Sequence, residues 1–227
     1  MSNPYVTPEL FAFLRELKLN NDRDWFALNK KRYEKHIKEP LLDLIADFSP
    51  LLADISPHFR AIPKASGGSL FRIYRDVRFS TNKDPYKTHA AIQFRHASAK
   101  DVHAPGYYLH LEPGNVFVGL GIWHPENPVL NQIRSAILSD ESHWQEVRDA
   151  AAEAGLELQG DSLKRPPAGI EADHDFIEDL KRKDFIAIAQ FEQDAALRPD
   201  LLPLLASTWK AGSPLMQFVS KAMNVPF

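Results

Sequence analysis

The sequence contains no cysteine among its 227 residues. The chain can therefore form no disulfide, no thiolate metal site and no cysteine nucleophile. Apolar runs are short as well, and none reaches the roughly eighteen residues that would predict a membrane-spanning helix. Because the first residues also lack the basic segment and small-residue cleavage site of a secretory signal, we expect a cytoplasmic protein that does not associate with membranes.

An excess of positive charge is also missing. The chain carries 27 Lys and Arg residues against 30 Asp and Glu residues, which gives a formal net charge of −3 at pH 7. Domains that bind nucleic acid usually show a basic excess, so this balance disfavours a general nucleic-acid binder. The hydrophobic content of 44% and the charged content of 25% are typical of a globular domain. The composition gives no indication of the oligomeric state.

The first part of the chain, residues 1–60, has the apolar spacing of helices. Thr7 is a suitable N-cap, and Pro8 after it suits the first helical position. A further helix is predicted to begin near Pro40.

The middle part, residues 69–123, is predicted to hold a basic loop followed by strands, because the apolar period changes to two after the loop. Residues 126–227 return mostly to helical spacing, with FIAIAQF as one further candidate strand. These patterns predict a single α+β domain over residues 1–227, with a mainly antiparallel central sheet flanked by N-terminal and C-terminal helices.

The stretch GYYLHLEPGNVFVGLGIW is predicted to be a hairpin that turns at Pro113 and Gly114. A turn of two or four residues places the even-numbered residues before it on the same face as the odd-numbered residues after it. The two faces of the hairpin then differ in composition. One face is apolar and should be buried: Tyr107, Leu109, Leu111, Val116, Val118, Leu120 and Ile122. The other face is mixed and should carry the chemistry: Tyr108, His110, Glu112, Asn115, Phe117, Gly119, Gly121 and Trp123. The preceding strand would extend this mixed face with His89, Gln93 and Arg95. Glycine inside a strand often marks the close approach of a ligand or of another backbone.

A basic segment, residues 71–89, precedes these strands and reads FRIYRDVRFSTNKDPYKTH. It contains five Arg and Lys residues and a histidine, but only two carboxylates, Asp76 and Asp84. Its apolar spacing fits either a helix or a strand, and we favour a short helix that leads into an ordered loop, because Asn82 and Pro85 interrupt regular structure.

Several motifs in and beyond this segment resemble one protein family. They are Arg72-x-x-Arg75-Asp76-x-Arg78-Phe79, Asn82-Lys83-x-x-Tyr86, GYYLHLEPG, GLGIW and LKRPPAG. Together they are similar to the uncharacterised bacterial and fungal family catalogued as domain of unknown function 2461. The resemblance extends over nearly the whole chain, and it implies no activity, substrate or cofactor.

The leading functional hypothesis is that the protein binds a small phosphate- or carboxylate-bearing ligand in an Arg- and Lys-lined cleft beside the sheet. Arginine offers a planar fork of donors to such anions, and lysine adds a point charge. We expect the Arg and Lys residues of the basic segment to hold the anion and Asp76 to orient one of the arginines. The predicted ligand-binding residues are Arg72, Arg75, Asp76, Arg78, Lys83, Tyr86, Lys87, His89, Arg95 and Trp123.

Three other interpretations remain open. In the first, the arginines pair with Asp76, Asp84 and Glu112 and only brace the loop. In the second, His110 oriented by Glu112 adds acid–base catalysis. In the third, the protein is a non-catalytic module that binds nucleic acid or an acidic protein.

A metal site is not predicted, because tight ligand spacing is lacking and the neighbouring positive charge would repel a cation. No motif identifies a cofactor. The loop LKRPPAG, with Lys164 and Arg165, is expected to pack near the basic segment.

Overall fold

The computed structural model describes residues 3–98 and 104–227. The N-terminal part is helical, as predicted, with α1 at Pro8–Leu19, α2 at Arg23–Tyr33 and α3 at Glu39–Ile55. A π-helical turn, Glu34–Lys38, joins α2 to α3 without a break. None of the helices in the described ranges is both long and apolar enough to cross a bilayer.

In the described ranges, six antiparallel strands form one sheet in the order β1-β2-β3-β4-β6-β5. Their bounds are β1 Phe59–Arg60, β2 Ala90–His96, β3 Gly106–Glu112, β4 Asn115–Ile122, β5 Glu157–Gln159 and β6 Phe185–Phe191. The predicted α+β class with a mainly antiparallel sheet is confirmed, and FIAIAQF is the strand β6. The short strands β1 and β5 were not predicted, since two or three residues carry no readable periodicity.

Helices follow the hairpin and complete the chain, also as predicted. They are α4 Asn127–Ser139, α5 Glu141–Glu153, α6 Ile177–Leu180, α7 Gln193–Ala196, α8 Leu201–Ala211 and α9 Ser213–Ala222. Helices α1, α8 and α9 contact β3 or β4. In the core between helices and sheet, the rings of Phe48 and Phe94 stack 5.3 Å apart, and Trp209 meets both edge-on.

The register of the β3–β4 hairpin confirms the predicted division into two faces. Glu112 pairs with Asn115 across a two-residue turn, and Leu109 pairs with Val118. Leu109 and Val118 are both buried in the core. The mixed face, which we call the cleft face, therefore carries the even-numbered residues of β3 and the odd-numbered residues of β4.

The basic segment contains no helix, so the predicted short helix at its start is wrong. Leu70 bridges Ile92 at the edge of β2, and the chain then forms a loop closed by a bridge between Tyr74 and Tyr86. The backbone N–H of Arg75 donates to the carbonyl of Pro85 at 2.9 Å. Tertiary packing outweighs the weak helical pattern here, because the loop gains a buried anchor on α2.

That anchor is Tyr86. Its ring stacks on Phe26 of α2 with centroids 4.1 Å apart, and it is almost fully buried. The side chain of Asn21 also holds both backbone groups of Tyr86, accepting from its N–H and donating to its carbonyl. The loop base is thus fixed to the α1–α2 connection.

The loop LKRPPAG follows β5, at the opposite end of the sheet order from the basic segment at β2. Four strand spacings of about 4.8 Å separate those two strands, which is about 19 Å. Within the described ranges, no hydrogen bond or ion pair joins Lys164 or Arg165 to the basic segment. Close packing of the two segments stays a prediction without a contact to support it.

The two glycines of β4 give a test of the fold. A Cβ on Gly121, where φ is +123°, would overlap the carbonyl oxygen of Phe185 in β6. A Cβ on Gly119 would meet its nearest atoms at ordinary contact distances of 3.7 to 3.8 Å. Gly121→Ala should therefore lower the free energy of unfolding by about 2 kcal/mol or more, and Gly119→Ala should change it by less than about 1 kcal/mol. Urea denaturation measures both values, and equal stability of the two variants would contradict the β4–β6 register.

Candidate functional site

A cleft of about 350 Å³ lies on the cleft face of the sheet. Its walls are formed mainly by aromatic and aliphatic side chains: Phe71, Tyr108, Phe117, Trp123, Ile186 and Ile188. Gly106, Gly119 and Gly121 lie among these side chains, and Gln93 adds a polar group. The cleft is therefore a concave, mostly apolar site of the size that small organic ligands occupy.

Only one of the two predicted strand glycines is free to serve a ligand. Gly121 is required by the approach of the β6 backbone. Gly119 has no such constraint, and its missing side chain leaves space within the cleft. The two glycines of β4 therefore have different roles: Gly121 allows close pairing with β6, and Gly119 leaves space in the cleft.

Trp123 forms one wall of the cleft, as the sequence predicted for the mixed face, and 48% of its surface is exposed. The ring of His124 stacks on it with centroids 4.2 Å apart. The buried carboxylate of Asp184 accepts from the backbone N–H of His124 at 2.6 Å and lies 2.9 Å from Nδ1 of its ring. Asp184 therefore positions His124, which in turn supports the tryptophan.

A second cavity of about 230 Å³ adjoins the cleft, and both are lined by Phe71 and Gln93. Its remaining lining is the turn 65–70 together with Arg72 and Arg95. We call it the arginine cavity. It contains two of the predicted ligand-binding residues, and the described residues contribute no carboxylate to its lining.

A polar cluster lies beside the cleft at the other end of β3. The hydroxyl of Tyr108 is 3.1 Å from Nδ1 of His110, and Nε2 of His110 is 3.5 Å from the carboxylate of Glu112. The second distance is long for a hydrogen bond, so this nitrogen makes only a weak electrostatic contact. The ring of His110 is stacked on Phe117 and lies 4.5 Å from that of His89. His110 is buried, and it is Tyr108 that lines the cleft.

Burial dominates the protonation of this cluster. Desolvation lowers the pKa of His89 to about 4, assisted by the nearby charges of His110 and Lys87 and opposed by Glu112. Desolvation also lowers the pKa of His110, although the contact with Glu112 works in the opposite direction. The pKa of Tyr108 is raised to about 12 by burial. Both histidines are therefore neutral near pH 7.

Other predicted residues lie apart from both cavities. Asp76 binds Arg78 with both oxygens, at 3.0 and 2.6 Å, at the exposed tip of the loop. This ion pair holds the pKa of Asp76 at about 2. Arg75 lies 3.9 Å from Asp84, and Nζ of Lys83 donates to the carbonyl of Val77. The structure does not bring Arg75 or Arg78 into the arginine cavity with Arg72.

Lys87 lies beside the cleft, next to Phe71. Its Nζ is 5.0 Å from the ring centre of Phe71, a cation–π arrangement beside the cleft wall. Burial lowers the pKa of Lys87, and the positive charge of Arg72 lowers it further. The area around Phe71 is therefore positively charged.

Phe71, Ile186 and Ile188 also line the cleft, and the sequence did not predict them there. Phe71 enters the site only because residues 69–71 follow the edge of β2, which is a tertiary contact. The isoleucines enter because β6 pairs with β4, where Ile188 lies opposite Gly119. Alternation within FIAIAQF gives two faces but does not indicate the neighbouring strand.

The described residues include no group of three or more His, Asp or Glu side chains arranged to hold a metal ion. Although His89, His110 and Glu112 lie near one another, they do not form such a group.

The conserved hypothetical proteins designated DUF2461 match this chain over residues 9–218, nearly its whole length. The chain belongs to this family. The resemblance seen in the basic segment and the hairpin is thereby confirmed. No curated protein is significantly similar to the chain. In this member of DUF2461, the family match includes both cavities and the polar cluster.

The lowered pKa of His89 predicts a pH-dependent stability. In the unfolded chain His89 binds a proton near pH 6.5, whereas in the folded protein it binds one only near pH 4. As the pH falls through this window, the unfolded state binds more protons and the free energy of unfolding decreases. His89→Gln removes this difference, so its stability should fall less steeply between pH 6.5 and 4.5 than that of the unmodified protein. Urea denaturation at several pH values measures the slope, and identical slopes would contradict the partial burial of His89.

Proposed function

We propose that the protein binds a small organic molecule that has an aromatic or apolar body and an anionic group, with the body in the cleft. The cleft itself supports this proposal, because it is an apolar concave site next to a positively charged segment. Cofactor and small-molecule sites commonly have this composition, with few polar groups among apolar walls.

The aromatic walls support a flat ligand body. The ring centroids of Phe71 and Tyr108 are 6.2 Å apart, and those of Tyr108 and Phe117 are 5.7 Å apart. Trp123, half exposed to solvent, would gain burial when a ligand ring covers it. Removal of apolar surface from water contributes about 25 cal/mol per Å², so a ring placed here would be stabilised.

The surrounding charges support an anionic group on the ligand. Arg72, Arg95 and Lys87 lie on the side of the cleft next to Phe71. Of these, Arg72 has no carboxylate within 4 Å in the described part of the chain. Among the interactions that lower the pKa of Asp76, the charge of Arg72 has the smallest effect. An anion near Phe71 would therefore meet cations that no carboxylate of the described residues already neutralises.

Proton transfer to the bound ligand is a second candidate function, favoured by the contact between Tyr108 and His110. His110 and Glu112 do not line the cleft, so any such transfer would pass through the hydroxyl of Tyr108. Hydrolysis of p-nitrophenyl phosphate, an aromatic anion, provides the assay. If the candidate is correct, Tyr108→Phe lowers turnover about a hundredfold. Turnover that is unchanged in this variant, or absent from the unmodified protein, counts against it.

Binding in the cleft predicts the behaviour of a fluorescent probe of the proposed class, 8-anilinonaphthalene-1-sulfonate. The unmodified protein should bind it saturably, with enhanced fluorescence and a concentration-dependent rise in melting temperature. Gly119→Leu places a side chain in the space that the ring would occupy, so it should weaken binding about tenfold or more, a loss of about 1.4 kcal/mol. Fluorescence titration measures the dissociation constant.

Lys30→Leu is the matched control, because it adds the same side chain on the exposed surface of α2. It should leave the dissociation constant unchanged. An unchanged affinity in Gly119→Leu, together with a loss in Arg78→Ala, would contradict the proposal. That result would favour the rival hypothesis, in which the exposed loop tip binds nucleic acid or an acidic protein.

A further inference from the structure

Three arginines lie together at the β1–β2 edge of the sheet, and one of them was not among the predicted site residues. Arg60 of β1 is the register partner of Arg95 of β2, so their side chains project on the same face. Cross-strand partners have Cβ atoms about 5 Å apart, and like charges at that position destabilise a sheet. Arg72 follows the same edge after Leu70 bridges β2. The described residues provide no ion pair to any of the three.

The turn beside these arginines is held in one conformation. Oγ of Ser69 accepts from the N–H of Ile62 and donates to the carbonyl of Arg60. The Ser69 backbone binds both Ile62 and Gln93. A Cβ on Gly68 would overlap the carbonyl oxygens of Ile62 and Lys64, so only glycine fits at that position. The cavity wall therefore exists before any ligand binds.

Arg95 extends across this cavity. One of its guanidinium nitrogens lies 3.4 Å from the carbonyl of Gly68, a long contact, and among the described residues its other donors have no hydrogen-bond partner. Arg72 is exposed and lines the same cavity. Because no carboxylate of the described residues neutralises these cations, an anion supplied from solution would relieve their repulsion.

We propose that the arginine cavity is the subsite for the anionic group of the ligand, a sulfonate, phosphate or carboxylate held between Arg72 and Arg95 with Arg60 nearby. The inference rests on the proposed function, since the body of the same ligand occupies the adjoining cleft. Phe71 and Gln93 line both cavities, so one molecule can extend from one to the other. The subsite differs from the loop tip, where Arg78 already has its own carboxylate.

Two probes with the same aromatic framework separate the contribution of the anionic group to affinity from that of the framework. They are 8-anilinonaphthalene-1-sulfonate and the uncharged N-phenyl-1-naphthylamine. Arg72→Gln and Arg95→Gln should each weaken binding of the sulfonate about fivefold to tenfold, as expected for the loss of a charged hydrogen bond near the surface. Neither variant should change the affinity for the uncharged probe by more than about twofold.

Arg78→Gln is the matched control, because it removes an equal charge from the same segment without touching either cavity. It should leave both affinities unchanged. Arg95→Lys provides a further comparison if Arg95→Gln proves unstable, since it keeps the charge but loses the planar fork and should weaken sulfonate binding to an intermediate degree.

Equal losses in Arg72→Gln and Arg78→Gln would overturn the subsite, because they would show a general charge effect. Equal losses for both probes would also overturn it, because the arginine would then contact the body. If the ligand does not bind in the cleft at all, the result differs, because Gly119→Leu then leaves the affinities for both probes unchanged.

Discussion

The register of the β3–β4 hairpin is the constraint on which the site depends. A two-residue turn at Pro113 and Gly114 places Glu112 opposite Asn115, and a strand period of two then fixes every later side chain. The apolar set packs against the helices, and the opposite set forms the cleft face. A slip of one residue would exchange the two sets, placing His110 and Glu112 in the core and exposing Leu109 and Val118. Burial of the apolar face therefore also specifies which residues line the cleft.

The adjoining chain completes the site from two directions. Pairing of β6 with β4 brings Ile186 and Ile188 to one wall, and this pairing requires Gly121. The edge of β2 brings Phe71 and Arg72 to the other side, after Ser69 has fixed the preceding turn. The loop beyond Arg72 then anchors Tyr86 on α2. Arg72 at the root of this segment has no carboxylate partner among the described residues, whereas Arg75 and Arg78 near its tip face Asp84 and Asp76.

The parts of the structure that sequence could predict are those governed by local periodicity. The hairpin faces, the class of fold and the strand β6 follow from alternation or helical spacing within a few residues. The basic segment could not be predicted in this way, because its course is decided by contacts of Leu70 and Tyr86 with distant elements. For the same reason the sequence grouped Arg72, Arg75 and Arg78 as neighbours. Strand pairing instead brings Arg95 near Arg72, and adds Arg60.

Ligand binding on the cleft face is tested most directly by an amide chemical-shift map of the ¹⁵N-labelled protein during titration with 8-anilinonaphthalene-1-sulfonate. The largest changes should occur at Phe71, Gly119 and the indole N–H of Trp123. Changes at Arg72 and Arg95 should accompany them at the same probe concentrations. Shifts confined to the loop tip at residues 76–84, or to the helices on the opposite face of the sheet, would contradict it.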